Sequence, residues 1–290
     1  MQYALVLFGG LSWGMTVFLA AAGLTLIFGI LHILNFAHGG FVMLGAYVAY
    51  SLLSPMGSPS LPAFFGAVVA GAVVLGLLGA GVDKLVFTRL RGVNDSYSLI
   101  ATYALLLLCE GGVKLVWGVD TLSLPPPPEL GGAIVIAGLY IPKFVLFVLA
   151  CGVVVFLLLD YVVHRTTIGK TMQSVAVDRW MTGLLGINER VVLVAIVVAG
   201  VALAGLAGAI LSINQGLSPT MGSTVIIQAF GVVIVGGMGN IRGAFLASIL
   251  LGIVTAFGDL FVAAIPGLFF YIALICILMW RPQGLIKGLH

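Results

Sequence analysis

Residues Val191–Ile213, VVLVAIVVAGVALAGLAGAILSI, run for 23 positions without a charged side chain. About 20 consecutive apolar residues span a bilayer as a helix, and a helix that is apolar all round belongs in a membrane or a large core. Glycine and alanine recur inside the stretch, where they let neighbouring backbones approach closely. It reads as a transmembrane helix, and the rest of the chain repeats the pattern. Hydrophobic residues make up 62% of the 290 and charged residues 7%, against about 25% charged in a soluble domain. Such a chain cannot build a water-facing surface, and it has no room for a soluble catalytic domain.

Working outward, apolar segments lie at about 4–31, 37–54, 62–82, 98–117, 134–159, 191–213, 223–238, 243–258 and 264–280. The expected fold is an all-α polytopic helical bundle of about eight or nine membrane segments, forming one transmembrane domain over 1–290. Ser54–Pro59 makes a short turn and Pro125–Pro128 a stiff stretch, and neither reads as an interdomain linker. Tyr3–Leu34 has no basic leader and is longer than a signal-peptide core, so it is expected to be a retained span. Cys109, Cys151 and Cys276 all lie in apolar runs at spacings that fit neither zinc nor a redox pair.

Lysine and arginine in short loops mark the cytoplasmic side of a membrane protein. Lys84, Arg89 and Arg91 form one cluster, Arg165, Lys170, Arg179 and Arg190 a second, and Arg281 and Lys287 a third. Two spans separate the first pair of clusters and four the second, so all three can share the cytoplasmic side. The same parity puts the C-terminus inside and the N-terminus outside. The net charge of +3 comes from these loops and gives no support for nucleic-acid binding.

Two glycine-bearing breaks interrupt the apolar runs. Gly29–Phe41 contains Asn35, Ala37, His38 and Gly39, and Gly236–Phe245 contains Asn240, Arg242 and Gly243. Their similar order suggests a weak internal parallel repeat. Interrupted helices in two halves of a transporter point to the solute path, because they expose backbone dipoles within the membrane. Asn35, His38, Asn214, Gln215, Gln228, Asn240 and Arg242 are polar groups at membrane depth. Each alone reads as a helix-to-helix hydrogen-bond partner, and as a set they read equally as pathway lining. Glu110 and Lys114, spaced i and i+4, are expected to form a local ion pair. Gly10 with Gly14, Ala204 with Gly208, and Gly239 with Gly243 mark packing faces.

Asp160–Arg190 holds seven of the 21 charged residues. Within it Lys170–Leu185 is expected to be a short amphipathic helix, closed by Gly186. Its polar face is mixed in sign, which favours a protein partner over a membrane surface. Gly169-Lys170-Thr171 fails as a phosphate loop, because His164 stands where the leading glycine is needed. Any nucleotide hydrolysis therefore belongs to another subunit. His32 and His38 have neither a metalloprotease motif nor a paired carboxylate, and no acid–base pair or metal cage can be assembled.

Five motifs in order carry a family resemblance. They are Ile33–Gly39 with Met43–Tyr47; Arg165–Gly169 with Ala176, Asp178, Arg179 and Leu185–Asn188; Ala204–Gly208; Gly236–Ile241; and Arg281–Leu285. Together they resemble the permease subunits of bacterial branched-chain amino-acid ABC importers, in particular the member of the permease pair that carries Asn-Phe-Ala-His-Gly. The resemblance implies a homologous second permease, two cytoplasmic ATPase subunits, a periplasmic binding protein, and residence in the bacterial inner membrane. No cofactor is expected in this chain, with ATP held by partner subunits. It also implies that Ala176, Asp178, Arg179, Leu185 and Gly186 belong to the coupling helix that fits an ATPase groove. The candidate pathway residues are Asn35, His38, Gln228, Asn240 and Arg242. Arg242 departs from the family pattern, which often has proline there, and this cation could tune selectivity toward carboxylates or cap a helix end. Because the wider family imports amides, urea and organic acids as well, the solute stays open. The alternative function, an ion-coupled secondary transporter, is weakened by the lack of a central acidic residue suited to coupling.

Overall fold

A computed structural model of the chain describes residues 2–31, 33–91, 94–136 and 138–286. His32 and Lys287 lie outside the described residues, as does the side chain of Asn214. The helices are α1 (Gln2–Leu31), α2 (Ala37–Leu53), α3 (Leu61–Val82), α4 (Thr88–Leu90), α5 (Asp95–Trp117), α6 (Lys143–Arg165), α7 (Thr167–Val177), α8 (Arg179–Leu184), α9 (Glu189–Asn214), α10 (Met221–Gly236), α11 (Ile241–Phe261) and α12 (Leu268–Trp280). A π-helical turn, Asp83–Phe87, joins α3 to α4. Its buried Asp83 is bonded to Arg91 and Thr88.

Among the described residues, seven helices are long and apolar enough to cross a membrane: Gln2–Leu31, Ala37–Met56, Leu61–Leu90, Ser96–Trp117, Lys143–Arg165, Glu189–Ile213 and Ile241–Phe261. The other two expected segments form the shorter α10 and α12, of 16 and 13 residues. At 1.5 Å per residue they reach only about 24 and 20 Å, against a hydrocarbon core of about 30 Å. Left-handed glycines set their limits, Gly237 (φ 99°) after α10 and Gly267 (φ 77°) before α12. The segment expected to begin at 134 also differs. Ala133–Ile136 and Leu139–Pro142 pair as an antiparallel hairpin turning at Gly138, and the helix begins only at Lys143.

Helix α1 is the central post. From Gly14 to Leu31 every side chain is buried, with Phe18, Ala20, Ala21, Ala22 and Leu24 at zero exposure. Its antiparallel partner α11 approaches so closely that a Cβ on Gly14 would run into the Ser248 carbonyl, and one on Gly10 would lie 2.8 Å from Gly252. Helix α9 packs on α1, α2 and α3, again through small residues: Gly200 faces Ile27 and Gly23, and Gly205 faces Gly71 and Gly45. The expected packing glycines thus work within the subunit, Gly208 against Val42 of α2 and Gly239 against Gly29 of α1.

One end of the bundle gathers the termini of α1, α3, α6 and α10, the helices α7 and α8, and most of the lysines and arginines. The helices that start at this end are capped by side chains: Asn94 on Ser96, Thr166 on Gly169, Asp178 on Met181, Asn188 on Val191 and Asn240 on Gly243. Each cap satisfies a backbone N–H left open by the first helical turn. At the opposite end Leu122 pairs with Leu217 in a β-bridge, and Trp117 donates to Ser51.

Candidate functional site

The first break turns the chain back into the bundle. After α1 ends at Leu31, the chain resumes as α2 beside the middle of α1, with His38 Nε2 2.9 Å from the Ala20 carbonyl and the imidazole against Gly23. Ala20 lies 11 residues before Leu31, so α2 begins about 16 Å inward of the α1 terminus. Asn35 and His38 are both at zero exposure. Neither polar atom of the Asn35 amide has a hydrogen-bond partner, nor does His38 Nδ1. Buried polar groups are nearly always paired, so this cluster is a local concentration of unmet polarity at membrane depth. Phe36 closes it on one side, with ring centroids 6.1 Å from Tyr103 of α5 and 5.0 Å from Phe230 of α10.

The second break is shallower. Gly237 and Gly239 take left-handed conformations (φ 99° and 82°), and Asn240 Oδ1 then accepts from the Gly243 amide, 3.0 Å away, to start α11. Gly239 rests on Gly29, so the second break touches the last turn before the first. Leu285 and Ile286 donate backbone hydrogen bonds to Val235 and Gly236, fixing the C-terminal segment on the end of α10.

Arg242 lies at the basic end, half exposed, with its guanidinium on both oxygens of Asp160 (2.5 and 3.0 Å), and His164 also touches Asp160 at 3.1 Å. It therefore links α11 to α6 rather than facing the buried first break. Gln228 is half-buried on α10. The five pathway candidates fall into three environments: a closed core around Asn35 and His38, the flank of α10 at Gln228, and the basic end at Asn240 and Arg242.

The expected amphipathic helix is two helices with a corner. Asp178 leaves the helical region (φ −149°, ψ 102°), ends α7, and caps α8 by accepting from the Met181 amide at 2.9 Å. Asp178 competes with the helix for its own backbone as short polar side chains do, which is why the run splits there. The pair is held from inside by Gln173 donating to the Val163 carbonyl of α6 (2.8 Å) and Arg179 reaching the Ile30 carbonyl of α1 (3.5 Å). Outward it presents Val177, Trp180, Met181, Leu184 and Leu185, between 50% and 82% exposed. Ala176 is half-buried at the rim, and Gly186, at φ 81°, turns the chain away. An exposed apolar ledge among charged residues marks a surface for protein or membrane contact.

Two features of these regions escape sequence reasoning. Trp180 is the largest exposed side chain of the ledge. Glu110 is buried at 7% exposure and accepts from the Ser223 hydroxyl of α10 at 2.5 Å instead of pairing with Lys114. A carboxylate seven residues inside an apolar span was the available signal, masked by the lysine one turn away.

Comparison with known proteins agrees with this architecture. A family described as the permease component of a branched-chain amino acid transport system matches residues 6–278. The chain is 31% identical to the high-affinity branched-chain amino acid transport system permease protein BraD of Pseudomonas aeruginosa, over 98% of this chain and 96% of that one. It is 26% identical to the corresponding LivH protein of Escherichia coli K12, over 97% and 94%. It is 30% identical to a probable LivH of Methanocaldococcus jannaschii, over 86% and 79%. No solved structure matches. With a family match over nearly its whole length and full-length relatives of one kind, this chain belongs to the branched-chain amino-acid transport system permease components, transport subunits and not enzymes.

Proposed function

We propose that this chain is one of two permease subunits in an ATP-driven importer of branched-chain amino acids or closely related small solutes, receiving solute from an extracytoplasmic binding protein. The single observation that carries the ATP-driven part is the ledge on α7 and α8. It offers exposed apolar side chains at the basic end, while Arg179 ties it to the end of α1 and Gln173 to the end of α6. A partner pushing on this corner acts directly on the helix termini that flank both breaks. The chain itself has no phosphate-binding loop, so ATP is assigned to two partner ATPase subunits and no cofactor to this chain. The basic end is assigned to the cytoplasm, with the C-terminus inside, and the Asn35–His38 core to the solute path.

The testing experiment is reconstitution of the permease pair in proteoliposomes with its ATPase subunits and binding protein. Wild type should take up leucine only with ATP and loaded binding protein. Gly186→Val, which places a β-branched residue at φ 81°, should leave basal ATP hydrolysis intact and lose its coupling to uptake. Solute movement down an ion gradient without ATPase subunits would refute the reading.

A further inference from the structure

We propose that Glu110 of α5 and Ser223 of α10 form an outward subsite that takes the ammonium group of an amino-acid solute as it enters the bundle. This deepens the importer reading and rests on it. Glu110 lies seven residues before the end of α5 at Trp117, about 10 Å along the helix from the end that carries the Leu122–Leu217 bridge. It sits there because glycine lines the floor beneath it. Gly39 of α2 and Gly222 of α10 lie against each other, and Leu106 and Cys109 of α5 settle on Gly222 and Gly40. That contact brings the next residue, Glu110, within 2.5 Å of the Ser223 hydroxyl.

A structural tie between α5 and α10 does not need a carboxylate. Removing such a group from water costs several kcal/mol unless its oxygens find strong donors or a cation. Among the described residues the Ser223 hydroxyl is its one hydrogen-bond partner, and the exposed Lys114 makes no ion pair with it. A neutral amide at this position would make the same hydrogen bond without that cost, so the charge itself has a use.

The surroundings fit a cation that arrives and leaves. On the otherwise apolar α10, Ser223, Thr224 and Gln228 lie along one side at steps of four or fewer, with Thr220 just before the helix, and all four are exposed or half-buried. The Gln228 amide makes no hydrogen bond among the described residues. Two turns inward of Glu110 on the same face of α5, Tyr103 meets Phe36, which in turn packs on Phe230. The seam between α5 and α10 is therefore polar and acidic toward the outer end and closed by aromatic rings toward the middle. An ammonium would add its opposite charge and further charge-assisted hydrogen bonds to the one that Ser223 already donates, whereas an anion without an ammonium would be repelled. This arrangement selects amino acids over the corresponding keto or carboxylic acids.

The test uses the complete transporter in proteoliposomes, with Glu110→Gln, which keeps a hydrogen-bond acceptor for Ser223 but removes the charge, and Glu110→Asp, which keeps the charge. Leucine uptake and binding-protein-stimulated ATP hydrolysis are read together, with isobutylammonium chloride as an external inhibitor at saturating leucine. The expected result is uptake at least tenfold lower in E110Q and within threefold of wild type in E110D, with ATP hydrolysis retained in both and isobutylammonium slowing only charge-bearing forms. Uptake by E110Q within twofold of wild type would overturn the subsite, as would equal loss in two well-assembled variants. If E110Q does not assemble, isobutylammonium decides on the wild type, and absence of inhibition overturns the proposal. A wild-type complex that moves no leucine with ATP would instead refute the importer reading itself.

Discussion

Replacing Trp180 with alanine should detach the ATPase subunits more than any other single truncation on α7 and α8. Trp180 is 71% exposed at the corner between Asp178 and Met181. A tryptophan carries up to about 250 Å² of surface, so about 180 Å² is free to be covered, and at ~25 cal/mol per Å² half to full coverage is worth ~2–4 kcal/mol. The lower figure corresponds to about a 30-fold loss of affinity. Central aromatic side chains are also the usual dominant contacts of protein interfaces. The assay is titration of labelled ATPase subunits onto the permease pair in nanodiscs, followed by leucine uptake. Leu115, 89% exposed on α5 near the opposite end, is the control, and its replacement with alanine should leave the titration unchanged. An aromatic ring at this height could instead anchor in lipid headgroups. If W180A binds ATPase subunits within threefold of wild type, the docking argument fails and the anchor takes its place.

Three further outcomes are expected. Asn35→Leu removes two buried polar atoms that lack partners, each costing about 1–3 kcal/mol, so its thermal midpoint in detergent should stay level or rise while uptake falls; a fall in both would make Asn35 structural. Gly14→Ala should sharply lower the midpoint, because its Cβ meets the Ser248 backbone, whereas Gly66→Ala, with open space around it, should be silent; equal effects would contradict the α1–α11 approach. Arg242→Glu should lower the midpoint in low salt and Asp160→Arg on top of it should restore it, with the difference shrinking at high salt; failure of the second change to restore would deny the α6–α11 link.

The membrane class was legible because apolar length is a one-dimensional property, and Val191–Ile213 reads the same in the sequence as in α9. Depth was not legible. Asn35 and Asn240 look alike in their breaks, yet one is buried beside the middle of α1 and the other caps α11 at the basic end, because depth depends on which helix the returning chain packs against. The pairing of Arg242, one of the pathway candidates, with Asp160, 82 residues away, has no local signal in the sequence. Local rules also misled at Glu110, where i, i+4 spacing favours Lys114 but the glycine floor of α2 and α10 turns the carboxylate to Ser223. The candidate coupling residues were readable as an amphipathic run. Its corner at Asp178 and the outward tryptophan needed the tertiary anchors Gln173 and Arg179 to appear.

The burial of α1 has a consequence for the order of synthesis. Helix α1 has its surface covered mainly by α9, α10 and α11, which follow it by more than 150 residues. Until then the re-entering segment with Asn35 and His38 lacks α9 and α10, the helices that pack over it, and lipid is a poor neighbour for buried polar groups. The amino-terminal helices must therefore wait, held by the insertion machinery or a chaperone, and the native core closes only when the carboxy-terminal third arrives. Nascent chains truncated before Glu189 should be degraded rather than accumulate as a stable half, and a separately expressed 189–290 fragment should rescue them.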